Sequence, residues 1–420
     1  MKKKKVLIFP YSNQLGTTIP SITLANLLID NGFEVEFASK GKYSFVIKEK
    51  GFVLHDVPEI SYMHYRKYLD QNRMDYYEKH LVRLMVDYEV DMINELKPDI
   101  VVGHNRPSLY ISTKLTKKPF VSMTVASLTN YYDQRIYIPE NHPLNKIIPL
   151  VDVNSLVPAI VPKIVYNITM KRFAKGFNEV LKEYNLSKVK SYLDLNEGDI
   201  TLLIETWGLV GLKKLPSNFY FLEQDTESGF GEKPAWYSSV QKLKEGGKKI
   251  IGISMGSSSF EAYPLVLKDL VEFVLSQKDE YILVSNHCGL EKEYTNSNNI
   301  YIERFIPPLD LMNLVDIVIT HGGKNTLNEA VLAKKMIIGI PEQAEQLWNI
   351  KYMEKLGVVK VLSRFELRKN NNILTHNVQR LLKDSKMRQN VEKFVQNDLI
   401  NEDIYDHKAT IVAALQRLSK

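Results

Sequence analysis

The sequence is poor in cysteine: Cys288 stands alone among 420 residues. One thiol excludes an internal disulfide and a cysteine-based zinc site, and we read it as an inert side chain near a strand end. Long apolar runs are missing too, with nothing approaching the ~18 uninterrupted residues of a membrane helix. Lys2–Lys5 precede the apolar stretch Val6–Pro10, but that stretch is too short for a signal peptide and Ser12, Asn13 and Gln14 break it. A cytoplasmic location is expected, where the sequons at Asn167 and Asn185 mean little. No block of one charge exists either, the net +6 being spread along the chain. Without zinc-finger spacing or an aromatic–basic RNA motif, nucleic acid is not an expected partner. Lys163, Lys171, Arg172 and Lys175 form a modest cluster, which reads first as a solvated helix face and otherwise as a contact for an anionic substrate or a lipid surface, a peripheral membrane contact. A GxGxxG fingerprint and a P-loop are both absent, so a dehydrogenase or nucleotide hydrolase fits poorly. The nine histidines are scattered, and no metal site is expected. His55, His64, His80 and His142 read as surface or packed residues.

What is present is an ordinary globular composition, 44% hydrophobic and 25% charged. A chain this long exceeds a single core, so two domains are expected. Strand-like runs alternate with helical patterns, the sign of parallel sheets covered by helices. Lys4–Pro10 reads as a buried strand, Tyr11–Thr18 as a loop, and a helix is expected from near Pro20 to Gly32. Strands at Glu34–Ser39, Pro98–Val102 and Pro119–Met123 follow. The pattern restarts with the strand Lys248–Gly256 and the helix Pro264–Gln277. Strands at Tyr281–Ser285, Ile300–Phe305, Asp316–Thr320 and Ile337–Pro341 complete it. The expected fold is α/β: two Rossmann-like α/β/α domains facing across a cleft. Their bounds are 1–230 and 231–395, with a helix in 396–420 returning to the first. The segment 131–185, punctuated by Pro139, Pro143, Pro149, Pro158 and Pro162, reads as helices packed on the first domain or as a wall of an acceptor cleft. Tyr62, Tyr65, Tyr68, Tyr76 and Tyr77 read as helix packing before acceptor contact.

The chemistry concentrates in residues 321–346. His321-Gly322-Gly323-Lys324-Asn325-Thr326 follows a strand and opens a helix. Paired glycines let backbone approach a ligand closely, and free N–H groups at a helix start attract phosphate. Thr326 adds a hydroxyl and His321 a ring N–H. Glu329, three residues beyond Thr326, is spaced to accept from ribose hydroxyls, and the adjacent Glu345 and Gln346 suit several sugar hydroxyls. A capped tight turn explains the glycines alone, but not His, Asn, Thr and Glu together.

This segment resembles the donor-binding signature of nucleotide-sugar-dependent glycosyltransferases with two Rossmann-like domains, the group of UDP-glucuronosyl- and macrolide glycosyltransferases. His321-Gly322-Gly323, Asn325, Thr326, Glu329, Ala330, Pro341, Glu345, Gln346 and Asn349 stand at matching spacing. Phe305-Ile306-Pro307 resembles the family's Trp-Val-Pro stretch that holds the base, and Ser254-Met255-Gly256-Ser257 the turn opening the donor domain. The resemblance implies an inverting enzyme with no resident cofactor. A UDP- or dTDP-sugar serves as co-substrate and a small, largely hydrophobic molecule as acceptor. His321, Gly323, Asn325 and Thr326 then hold diphosphate without a metal, Glu329 the ribose, Glu345 with Gln346 the sugar, and Ser257, Phe305 and Ile306 complete the donor site. The expected assembly is a monomer or a homodimer.

The departures are as informative. Where the family has Gly-His-x-x-Pro with a basic histidine, this chain has Gly16-Thr17-Thr18-Ile19-Pro20. Threonine is too weak a base near neutral pH. The position of the family's orienting Asp holds His104, so base and orienting residue are expected to have exchanged places. The alternatives are that His104 is a plain strand-end residue, with Asp133 or an ionised acceptor supplying basicity. Lys334-Lys335-Met336 replaces the usual Gly-x-Pro before the last strand, a change of turn. A non-catalytic auxiliary protein, a lipid-acceptor glycosyltransferase and a sugar-nucleotide epimerase remain open beside the main reading.

Overall fold

The computed structural model describes residues 3–70, 76–140, 142, 154, 158–205, 208–222, 232–255, 262–286, 299–370, 372–396 and 407–418. Ser257 and Cys288 lie outside these residues. The chain divides into two compact units, Met1–Asp133 with Ile160–Asp225 and Glu402–Lys420, and Gln134–Ala159 with Thr226–Asn401. The segment read as belonging to the first domain is thus shared, and 134–159 goes with the second unit.

In the first unit, β1 (Lys5–Pro10), β2 (Glu34–Ala38), β3 (Leu54–His55), β4 (Ile100–His104), β5 (Phe120–Thr124), β6 (Ile200–Leu203) and β7 (Phe219–Phe221) form a parallel sheet. Its order is β3-β2-β1-β4-β5-β6-β7. The central strands are buried on both faces, which is why KVLIFP and IVVGH read as unbroken apolar runs rather than as alternation. The helix after β1 spans Leu15–Asp30, so it begins before Pro20 and contains it. Thr17 and Thr18 drive the earlier start, since both backbone N–H groups bond to the Gln14 carbonyl. Gly32, at φ +84°, ends it in a conformation that costs other residues more.

Tyr76 and Tyr77 pack with Phe173, Phe177 and Tyr192 in one buried aromatic cluster. Edge-to-face and tilted pairs of this kind add about 0.5–1.5 kcal/mol each beyond area burial. Gly176 permits the approach: a Cβ there would lie 2.1 Å from the Tyr77 carbonyl oxygen. The last helix, His407–Leu418, buries Ile411 and Leu415 in this unit, and Lys4 Nζ donates to the Gln416 carbonyl at 2.8 Å.

In the second unit, β8 (Lys249–Ser254), β9 (Tyr281–Asn286), β10 (Ile300–Glu303), β11 (Ile317–Thr320), β12 (Met336–Gly339) and β13 (Lys360–Val361) run parallel. Their order is β10-β9-β8-β11-β12-β13. Residues from 134–159 are clamped onto this unit. Trp348 Nε1 donates to the Tyr137 carbonyl at 2.8 Å, and the Arg364 N–H donates to Glu140 Oε1 at 3.0 Å. Each sheet reverses its strand order once, between β1 and β4 and between β8 and β11, and ligands of such sheets bind beyond the strand ends at that point. Among the described residues, no helix is long and apolar enough to cross a membrane.

Candidate donor site and the strand-end histidines

At the switch point of the second unit, Thr320 of β11 pairs with Ser254 of β8, and His321 follows directly. His321 is buried, and burial pushes its imidazole down to about 4 against the opposing pull of a hydrogen bond with the Ser254 backbone. The ring is therefore neutral at physiological pH. Its Nδ1 is buried without a hydrogen-bond partner, an arrangement that costs about 1–3 kcal/mol if nothing ever fills it.

The two glycines of this turn are required for different reasons. Gly322 has φ +91°, and a Cβ there would lie 2.8 Å from the Gln346 carbonyl oxygen and 2.6 Å from Ile350 Cγ2. Gly323 lies beneath the histidine, where a Cβ would meet His321 Nε2 at 2.6 Å. Gly323 is also the N-cap of the helix Lys324–Leu332 and brings no side chain to close its first turn. Asn325 and Thr326 stand in that turn, both half-buried. The positive end of the helix, a neutral imidazole with an open nitrogen and a backbone that tolerates close approach meet at one place. That combination suits an anion.

Glu329 sits on the same helix, half-buried. Burial pushes its carboxyl up to about 8, so near neutrality it keeps its proton and can donate as well as accept. Asn328 beside it has an unpaired buried Oδ1. Phe305 and the buried Ile306 follow the C-terminal end of β10.

Gln346 is buried, and its side-chain oxygen is used within the chain. Its Oε1 accepts from the N–H groups of Glu342 and Gln343 at 3.0 Å each, making a capping box with Gln343 at the start of the helix Ala344–Lys355. That oxygen thus serves the backbone at the start of the helix. Glu345, in contrast, is exposed. This helix still meets the His321 turn, for Asn349 Nδ2 donates to the Gly322 carbonyl at 3.3 Å. Glu342, which sequence reasoning passed over, is buried, and its Oε1 accepts from the Ala262 N–H at 2.6 Å. A Gln-x-x-Gln spacing just ahead of an apolar run was the available sign of the cap.

The first unit has a histidine at its own switch point. His104 ends β4 opposite Pro10 of β1. Its Nδ1 lies 3.0 Å from Ser21 Oγ, and Ser21 Oγ donates to the Thr17 carbonyl at 2.8 Å. Burial holds His104 down to about 4, while a hydrogen bond with the Thr17 backbone raises it. Thr17 and His104 therefore do come together, but through the Thr17 main chain and Ser21. The Thr17 hydroxyl turns away and donates to the carbonyls of Tyr11 and Gln14. Ser21 was missed because a serine one helical turn beyond Thr17 carries no motif. Asp133 is exposed, its N–H donating to the Gly211 carbonyl at 3.2 Å.

Beyond His104 the chain is closed. Arg106 Nε reaches the buried Glu89 at 2.7 Å, Ser108 and Ser112 donate to the same carboxylate at 2.6 and 2.5 Å, and Arg106 Nη2 donates to the Pro58 carbonyl at 2.6 Å.

Residues 251–405, which hold the His321 turn, match the glycosyltransferase family 28 C-terminal domain. The chain is a glycosyltransferase. A PGL/p-HBAD biosynthesis rhamnosyltransferase of Mycobacterium bovis is 23% identical over 89% of this glycosyltransferase and 79% of its own length. Two solved structures share its fold from end to end. The glycotransferase of kitacinnamycin has a TM-score of 0.69 at 17% identity, covering 100% of both chains. A spinosyn rhamnosyltransferase complexed with thymidine diphosphate has a TM-score of 0.67 at 13% identity, covering 98% of this chain and 100% of its own. The architecture is the two-domain one of these enzymes, with a parallel sheet in each half.

Proposed function

We propose that this glycosyltransferase moves a sugar, with inversion, from a UDP- or dTDP-sugar to a small, largely hydrophobic acceptor. The observation that carries the reading is the His321–Gly323 turn, with its open, buried Nδ1 beside an uncapped helix start. His321, Asn325 and Thr326 hold the diphosphate there, and Glu329 meets the ribose. Glu345 is left as the sugar contact, because Gln346 serves the backbone. Phe305 and Ile306 hold the base. Thymidine diphosphate in a structure of like fold supports the dTDP reading over UDP.

Phosphate charge is met by backbone N–H groups and the helix dipole, so turnover requires neither a divalent cation nor a resident cofactor. His104 takes the acceptor proton. The Ser21 hydroxyl hydrogen goes to the Thr17 carbonyl, which puts the imidazole hydrogen on Nδ1 and leaves Nε2 the lone pair that a base uses.

Calorimetric titration of UDP, dTDP, ADP and GDP tests the donor. A pyrimidine diphosphate should bind, and His321→Ala should weaken it by roughly 10- to 100-fold, the worth of a hydrogen bond to a charged group. Tight binding of a purine diphosphate would sink the assignment. Complete loss of turnover in EDTA would sink the metal-free reading.

A further inference from the structure

The helix Ile160–Phe173 is apolar on two opposite sides. Pro162, Met170 and Phe173 face the core. Ile160, Ile164 and Ile168, spaced four apart and so aligned along one face, are 57%, 50% and 52% exposed. Single exposed apolar residues need no explanation, whereas a row of three marks a contact surface. Cations border the row. Lys163 lies three residues from Ile160, Lys171 three from Ile168 and Arg172 four from Ile168, all exposed, and Lys175 opens the next helix. The segment IVPKIVYNITMKRF contains no acidic residue.

We propose that this face docks on an anionic lipid surface, the isoleucines entering the boundary between headgroups and acyl chains and the cations meeting lipid phosphates. Charge decides the occupant. A second copy related by a two-fold axis would set Lys163, Lys171 and Arg172 against themselves, while an anionic bilayer answers both the apolar row and its cationic border. The inference is independent of which sugar or acceptor the enzyme uses.

Co-sedimentation of the full chain with phosphatidylcholine vesicles, with and without phosphatidylglycerol, tests it with no turnover measured. Binding is expected only with phosphatidylglycerol and should weaken with added salt. Lys163→Gln/Lys171→Gln should lower partitioning about fivefold for each cation removed, the factor that corresponds to about 1 kcal/mol. Ile164→Asp/Ile168→Asp should reduce it to background. Both double variants should melt as the parent does, because the altered side chains are exposed. Equal binding to uncharged vesicles, no binding to anionic ones, or anionic binding that neither pair changes would overturn the proposal. So would a parent dimer that Ile164→Asp/Ile168→Asp turns into a monomer without any vesicle binding, which would make the face an interface between copies.

Discussion

His104 and His321 hold nearly equivalent places in the two units. Each stands at the C-terminal end of the strand that neighbours the unit's first strand, is buried, is held near 4, and touches the backbone of the element beside it. The residues after them differ. Beyond His104 come Asn105 at φ +51°, then Arg106 on the buried Glu89, with Ser108 and Ser112 donating to the same carboxylate. Beyond His321 come two glycines and an uncapped helix, and the imidazole keeps a nitrogen without a partner. One strand end is followed by an arginine that the protein's own carboxylate neutralises, and the other by a turn that keeps an imidazole nitrogen without a partner, where we propose the phosphate binds. The same topology thus yields an internally neutralised joint in one unit and an open strand end, the proposed receptor, in the other, according to which side chains succeed the strand.

The largest way to test that contrast is through turnover. His104→Ala should lower it ~10²–10⁴-fold, the usual worth of a general base, while nucleotide affinity, which we propose resides in the other unit, stays put. Near wild-type turnover in His104→Ala, together with a gain in Thr17→His, would make His104 a structural residue like its closed surroundings. Next comes stability. Glu89→Ala leaves Arg106 buried and unpaired and should cost about 3–5 kcal/mol, read from the urea midpoint by circular dichroism. His321→Ala removes an already orphaned nitrogen and should cost far less. Similar losses for the two variants would erase the distinction between joint and receptor.

A smaller effect concerns pH. Each imidazole stands at about 4 when folded, against 6.5 ordinarily, so the folded chain binds fewer protons than the unfolded one in that interval. Stability should be complete above pH 6.5 and fall as pH drops toward 4, by up to about 3 kcal/mol for each histidine. His104→Asn and His321→Asn should each flatten that fall by a similar amount. Glu329 has the opposite sign. Its carboxyl, raised from 4.5 to about 8, costs stability as pH rises through that window. Glu329→Gln should therefore raise the melting temperature at pH 8 and leave it alone at pH 4.5.

The sequence reveals the receptor better than the joint. The His321 turn is local: strand, glycines and helix start are contiguous, so their chemistry can be read along the chain. In both units the strands β1, β2, β4, β5, β8, β9, β10, β11 and β12 were legible, being largely buried apolar runs bounded by turns. The strands β3, β7 and β13 were not, since two or three residues are too few for a pattern to show, and the four-residue β6 was passed over with them. The Glu89–Arg106 pair escaped for a related reason, because a buried carboxylate and its partner seventeen residues on look like two surface charges. The placement of 134–159 also depends on remote bonds, Trp348 to Tyr137 above all. The backbone bonds of the Thr17 hydroxyl and Gln346 Oε1 were not legible, because a side chain in a motif position also answers to nearby backbone donors and acceptors.

The assignment of residues 402–420 to the first unit has a consequence in time. A ribosome delivers Met1–Asp133 and Ile160–Asp225 before the second unit's Thr226–Asn401, and the helix His407–Leu418, with Ile411 and Leu415, only after it. The first unit is therefore interrupted in time by the second, whose residues have all been made by Asn401. Nascent chains halted there should hold a second unit able to close and a first one still lacking its final helix. Completion of the first unit thus depends on residues translated after the whole of the second.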